Sequence, residues 1–317
     1  MPFGVHNPSK RNLLLAFDAF DTLFTPRRPI AVQYGEIGRR HGIRGFSDEE
    51  LSKSFRAAFK KESKEHPNYG KETGLAAPEW WAKVITQTFT PFLSHGNTLP
   101  NQLIPDLLHR FSSAEGYSIY PDVLPFFHQL RQVRERTKDQ AEDSISKWPW
   151  NRTIVGIVTN SDDRVPDVLS SLGLSVGPRR VCGATKTHVS AHEGDDVSFV
   201  VLSYDAGCGK PDRRIFEAAE EMLAECVEDD EGVVASEFEK LYVGDDLEKD
   251  VLGAEDAGWN AALLDRKGQY AEALHNKSQG ETVDIGRKDR KIDVVNDLHQ
   301  LAYWRPRQSR ENSKRTG

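Results

Sequence analysis

The sequence predicts an α/β protein built on a parallel sheet, with an all-helical insertion between the first and second strands. Three observations carry this. Short apolar runs recur along the chain and each ends in a polar cluster, as buried strands do where they feed loops. Helical periodicity fills the stretches between them, and strands alternating with helices imply parallel pairing with helices on both faces. Residues 27–116, by contrast, show helical periodicity alone.

The first run, Asn12 to Phe17, meets Asp18. In the insertion, Val32, Ile37 and Gly38 belong to a first helix. Leu51, Phe55, Ala58 and Phe59 then recur at helical spacing, as do Trp81, Val84, Ile85 and Phe89, and Leu103, Leu107 and Phe111. Pro67-Asn68 and Pro91 punctuate it as turns, and Tyr120-Pro121-Asp122 marks the return to the α/β part. TIVGIV at 153–158 leads into Thr159-Asn160-Ser161, with a helical pattern from Val165 to Leu172. Phe199 to Leu202 leads into Ser203, and a helix follows from Arg213 to Leu223. Leu241-Tyr242-Val243 precedes Gly244-Asp245-Asp246, and Asn260 to Leu264 ends at Asp265. In such sheets the ligand crevice lies beyond the carboxyl ends of the strands, where every one of these polar clusters sits.

Residues 1–26 and 117–304 are thus expected to form one discontinuous α/β core, with 27–116 a separate helical unit. The tail 305–317 carries Arg305, Arg307, Arg310, Lys314 and Arg315 against Glu311 and is expected to be disordered. Segments 134–147 and about 177–196 read as polar surface insertions, the former either extending the helix before it or remaining mobile.

Composition narrows the function classes. The 317 residues are 38% apolar and 29% charged with a net charge of -7, so nucleic acid is not an indicated partner, whereas acidic residues around a metal fit that sign. Cys182, Cys208 and Cys226 are widely spaced with no CxxC pair, which argues against a disulfide framework or zinc site and for a reducing compartment. No run approaches the roughly 20 apolar residues of a membrane helix, and Asp18 interrupts the N-terminal apolar stretch, so neither a span nor a signal peptide is expected. The expectation is a soluble intracellular protein of cytoplasm or nucleus. The basic tail fits either a localisation signal or plain solvation.

Phosphoryl transfer through an aspartate needs a carboxylate nucleophile, a cation, donors for the phosphate oxygens and a group to protonate the leaving oxygen. Four strand-end clusters can be set against those needs. In LLLAFDAFDTLF, Asp18 is followed by Thr22 and Leu23; Thr159 lies in IVTN; Lys210 precedes Pro211 in SYDAGCGKPDRRIF; Asp245 and Asp250 lie in LYVGDDLEKDVLGAEDAGW. Each alone is weak, since KPD or GDD occurs by chance and Asp18 alone reads equally as a helix cap. All four in this order, each at a strand end, resemble the four motifs of the haloacid dehalogenase-like hydrolase superfamily over about residues 12–304.

That resemblance implies a Rossmann-like core with residues 27–116 as its C1 cap, a lid that shields the site from water and supplies specificity. It implies Asp18 as nucleophile, Thr159 and Asn160 as phosphate-binding groups, and Lys210 as the ammonium steadying the charge shared by nucleophile and phosphate. It implies Mg²⁺, which suits an all-oxygen site, held by Asp18, Asp245, Asp250 and the backbone carbonyl of Phe20. The implied substrate is a small phosphorylated molecule, with the cap and insertions as surfaces open to a protein partner. Within the cap, HPNYG at 66–70, Gly74-Leu75, Glu79-Trp80-Trp81 and Gln87-Thr88-Phe89 resemble haloacid dehalogenase-like hydrolase domain-containing protein 3 and its fungal relatives. Tyr69, Trp80, Trp81 and Phe89 read first as cap packing and second as substrate contacts.

The pattern departs at Phe20, where phosphatases of the superfamily keep an aspartate as general acid and base. General acid–base help is worth about 10²–10⁴-fold, so weak turnover of alkyl phosphates is expected. Asp21 is the nearest substitute, but it points to the other face of an extended chain and reads first as a turn former. True 2-haloacid dehalogenases also carry an aromatic residue there, yet Asp245, Asp246 and Asp250 near Asp18 would be costly without a cation. A module that binds a phosphorylated ligand or a protein without catalysis is the main alternative. Asn160 and Ser161 read equally as phosphate donors and as caps of the helix before Val165. Asp246 reads as an acceptor behind the metal ligands, Cys208 as packing, and His66 and His192 have no metal-ligand spacing.

Overall fold

The first strand, β1 (Asn12–Phe17), is apolar because neither face meets water: Leu13 to Phe17 are fully buried. Alternate side chains go to opposite faces of a strand. Leu13, Leu15 and Phe17 join one apolar cluster with Phe126, Phe127 and Leu169, while Leu14 and Ala16 join another with Ile215, Phe216 and Tyr242. The computed structural model describes residues 11–139, 148–181, 194–270, 282–284 and 291–306.

The remaining strands are β2 (Phe24–Pro26), β3 (Tyr117–Ile119), β4 (Thr153–Thr159), β5 (Val176–Arg180), β6 (Val197–Leu202), β7 (Phe238–Gly244), β8 (Asn260–Leu264), β9 (Thr282–Asp284) and β10 (Lys291–Val295). The main sheet has the order β5-β6-β4-β1-β7-β8-β10-β9. Every neighbouring pair is parallel except β9 with β10. One side of β1 is built first, from β4 to β6, and the other begins at β7, so the winding reverses at β1 and opens a crevice at its carboxyl end. Phe17 pairs with Ile157 and with Val243, which brings the loops after β1, β4 and β7 to one rim.

Helices α1 (Ile30–Arg40), α2 (Asp48–Glu65), α3 (Ala77–Phe89) and α4 (Leu103–Arg110) lie between β2 and β3, which pair as an antiparallel ribbon at the root of the insertion. Ser47 and Glu50 form a reciprocal capping box that starts α2. Trp80, Val84 and Ala58 pack together inside the insertion, and Phe89 and Tyr34 continue the larger cluster of the sheet. Helices α5 (Val123–Asp139), α6 (Val165–Ser171), α7 (Ser203–Ala206), α8 (Arg213–Val227) and α9 (Gly253–Asp256) complete the order. No described helix is long and apolar enough to cross a membrane.

Two sequence expectations change, and the helix-extending alternative for the segment from 134 is the one observed. Residues 176–180, read as the start of a surface insertion, form the edge strand β5, where Pro178 is exposed; an edge tolerates a residue that cannot donate to a ladder. The segment from 134 continues α5 as far as Asp139. At the start of the tail, Pro306 is buried and Arg305 donates to the carbonyls of Ala302 and Trp304. Residues 140–147, 182–193 and 307–317, with Cys182 and His192, lie outside the described residues.

A buried brace ties the rim together. The Arg266 guanidinium stacks on Tyr120 at 3.9 Å, donates from Nε to the Thr22 carbonyl at 2.8 Å and pairs through Nη1 with Asp122 at 2.9 Å. Asp122 also accepts from the Leu298 amide at 2.9 Å. Removing one partner of a buried pair leaves an uncompensated charge, typically about 3–5 kcal/mol. Arg266→Met is therefore expected to lower stability by about that much in urea denaturation, with Arg266→Met/Asp122→Asn less damaging than the sum of the two single changes.

Candidate active site

Lys210 lies in the loop between α7 and α8, its ammonium buried with 2% of the side chain exposed. Nζ donates to Asp18 Oδ1 at 2.7 Å, to Asp250 Oδ1 at 2.7 Å and to the Tyr242 hydroxyl at 2.6 Å. All three ammonium hydrogens thus have acceptors. Burial works against the charged form, but Asp18 and Asp250 outweigh it and hold the Lys210 pKa above its ordinary value. Tyr242 donates in turn to the Val158 carbonyl at 2.6 Å, which aims its oxygen lone pairs at the lysine.

Asp18 follows β1 directly, its amide donating to the Val243 carbonyl at 2.9 Å. Asp245 lies just past β7, and Asp250 is carried by a π-helical turn, Leu247–Leu252. One carboxylate oxygen from each of Asp18, Asp245 and Asp250 lies within 4.8 Å of the others. Asp245 is pushed up to about 7, first by burial and then by Asp18 and Asp250. Asp250 is also raised, by burial first, with Lys210 opposing. Three clustered carboxylates, two of them on one ammonium, leave an excess of negative charge that a divalent cation would offset, and the all-oxygen donors suit Mg²⁺.

Gly244 makes this approach possible. A Cβ there would meet Asp250 Oδ2 at 2.2 Å and Cγ at 2.4 Å. Asp246 points elsewhere: it caps the π-helical turn through the amides of Glu248 and Lys249, at 3.0 Å each, and pairs with the Lys249 ammonium. Thr159 is buried at the end of β4. Asn160, read as a phosphate donor or a helix cap, places its side-chain amide on the Lys210 backbone: Oδ1 accepts from the Lys210 amide at 2.7 Å and Nδ2 donates to the Lys210 carbonyl at 2.9 Å. Neither Asn160 nor Ser161 caps the helix from Val165, whose N-cap residue Arg164 makes no side-chain cap bond; Asp162 accepts from the Arg164 amide at 3.1 Å in the turn before it.

The Phe20 ring leaves the carboxylate cluster and packs edge-on against Phe24 at 4.7 Å and Tyr117 at 5.7 Å, at the root of the helical insertion. Asp21 adopts a left-handed φ of 54° and accepts from the Thr25 hydroxyl at 2.8 Å, the turn-forming role expected of it. A cleft lined by Asp21, Asp245, Arg266 and Lys267 opens beside the carboxylates.

Sequence reasoning passed over Tyr242 and the contacts from the insertion. The signal for Tyr242 was a phenol inside an otherwise apolar buried strand, which has to find a partner. Trp81 donates from its indole to Asp162 at 2.6 Å, and the Arg164 guanidinium stacks on the Trp81 ring at 4.2 Å while pairing with Asp162. Neither partner could be read from spacing.

The haloacid dehalogenase-like hydrolase family model matches residues 13–258. An uncharacterised Saccharomyces cerevisiae protein, YMR130W, is 31% identical over 263 residues, covering 82% of this chain and 74% of its own. Haloacid dehalogenase-like hydrolase domain-containing protein 3 of Mus musculus is 29% identical over 255 residues, covering 79% of this chain and 81% of its own. Among solved structures, a 2-haloacid dehalogenase from Pseudomonas syringae superposes with a TM-score of 0.52 at 18% identity, over 92% of this chain and 96% of that one, a likeness of fold.

Overpacking a filled site typically costs about 1–3 kcal/mol. Gly244→Ala is expected to lower stability by about that amount and to displace the Asp250 carboxylate. Thermal denaturation of this variant beside Gly258→Ala, where no atom crowds an added Cβ but φ is +89°, separates crowding from backbone strain.

Proposed function

The chain belongs to the haloacid dehalogenase-like hydrolases, and on that premise we propose that it is a Mg²⁺-dependent phosphohydrolase or phosphotransferase acting through Asp18. The observation that carries this reading is the convergence of Asp18, Asp245 and Asp250 on one another, with the buried Lys210 ammonium on Asp18 and Asp250. Asp18, Asp245, Asp250 and the Phe20 carbonyl would hold the cation, which would supply positive charge to the phosphate when bound. The helical insertion serves as a C1 cap that excludes water from the reacting groups.

In the first step an Asp18 oxygen attacks phosphorus, and the bond to the leaving oxygen breaks with its electron pair, giving an aspartyl-phosphate. Lys210 keeps Asp18 oriented and offsets charge gathering between carboxylate and phosphate. The Thr159 hydroxyl donates to a phosphate oxygen. Water or another acceptor then attacks phosphorus and frees the Asp18 carboxylate. No acid stands at Phe20, so the leaving oxygen takes its proton from solvent. Acyl and aryl phosphates, whose leaving groups need little protonation, are the favoured substrates.

The aromatic side chain at Phe20 favours one second reading, a module that binds a phosphorylated ligand without turning it over. Ligand-dependent thermal stabilisation without turnover, unchanged in Asp18→Asn, would select it. The same side chain would suit a 2-haloacid dehalogenase, but the crowding of Asp245 and Asp250 onto Asp18 argues for phosphoryl chemistry.

A panel of aryl, acyl and alkyl phosphates assayed with Mg²⁺ is expected to show turnover of the first two, lost in Asp18→Asn. Restoring the acid with Phe20→Asp is expected to raise turnover of alkyl phosphates by about 10²-fold, the lower end of general acid–base help. Mg²⁺ binding only the folded chain raises its melting temperature. That rise, measured against EDTA, is expected to disappear in Asp245→Asn.

A further inference from the structure

The helical insertion reaches the site through a segment whose backbone is strained. Asn68, Tyr69 and Gly70 are successive residues at φ 47°, 55° and 91°. Left-handed geometry is unfavourable for a non-glycine residue, and such strain persists only where surrounding contacts over-determine it. Here those contacts are with the rim of the sheet. Asn68 Nδ2 donates to the Ser203 carbonyl at 2.7 Å, beyond β6, and the Tyr69 hydroxyl donates to the Asn160 carbonyl at 3.1 Å, beyond β4. The Tyr69 ring is fixed against Trp80 and Trp81, with centroids at 5.4 and 6.3 Å.

From Asn160 the connection continues without a gap. Its amide brackets the Lys210 backbone, accepting from one side and donating to the other, and Lys210 reaches Asp18. Gly209 leaves room for this bracket, since a Cβ there would meet Asn160 Oδ1 at 2.8 Å. We propose that Tyr69 is a positioning residue, which holds the Asn160 peptide and through it the Lys210 backbone, so that docking of the insertion and placement of the ammonium on Asp18 are one event. The consequence for Asp18 chemistry rests on the phosphotransfer reading above; the structural coupling does not.

The test removes one oxygen and keeps the ring. In Tyr69→Phe, hydrogen exchange at the Lys210 amide, which donates to Asn160 Oδ1, is expected to quicken about tenfold, while exchange along β10 stays as in the unaltered chain. With a substrate from the phosphate panel, kcat is expected to fall several-fold with KM nearly unchanged, because the group lost touches neither substrate nor Asp18. Unchanged exchange at Lys210 overturns the proposal whether or not the protein turns over phosphates. Faster exchange everywhere also overturns it, since that is general loosening. Faster exchange confined to Lys210, in a protein without phosphatase activity, upholds the coupling and sinks the phosphotransfer reading instead. Asn68→Ala repeats the measurement at the second contact, with local quickening around Ser203 expected.

Discussion

A single ammonium deep in the crevice sets the terms for everything around it. Lys210 Nζ is surrounded by Asp18, Asp250 and the Tyr242 hydroxyl, and a charge so far from water is tolerable only when its hydrogens are all accepted and its charge is matched. Its presence in turn opposes the upward push that burial exerts on Asp250. Asp245, which has no share in the ammonium, shows the alternative: burial and its acidic neighbours push it up to about 7. The local backbone is shaped to the same end, with Gly244 bare so that Asp250 can lie across it.

Much of this was legible because the chemistry sits where strands stop. Asp18, Thr159 and Asp245 each follow an apolar run, so their common rim could be inferred once the runs were read as parallel strands. Lys210 and Asp250 came from the resemblance, since neither directly ends a strand. What could not be read are partnerships between residues far apart in sequence. Arg266 with Asp122, Tyr242 with Val158, and Trp81 with Asp162 are each set by how strands and helices pack, and no local pattern encodes them. Asn160 was noticed, but the bonds from its side chain to the Lys210 backbone were not readable from spacing. The edge strand β5 was missed because Gly177, Pro178, Arg179 and Arg180 carry none of the apolar alternation that marks a strand.

Phe20 shows how a position can be reassigned rather than merely vacated. Its ring joins Phe24 and Tyr117, the first residue of each strand of the β2–β3 ribbon from which the helical insertion springs. Phe24 and Tyr117 are themselves in contact at 5.1 Å, so the three rings form one aromatic knot at the root of the insertion. A residue two places from Asp18 thereby serves the mechanical joint between the two parts of the chain. A carboxyl there could not fill that knot, and an aromatic ring cannot move a proton.

The central place of β1 also governs how the molecule is made. Leu13 faces Thr153 on one side and Glu239 on the other. The strand is synthesised ahead of both neighbours; its first lateral partner, β4, begins at Thr153 and its second, β7, at Phe238. The intervening helices, whose contacts are nearby in sequence, can settle during that delay, whereas parallel pairing across such distances is slow. The apolar segment Leu-Leu-Leu-Ala-Phe therefore has no strand to pair with until about half of the 317 residues have been made, a consequence of placing the earliest strand at the middle of the sheet.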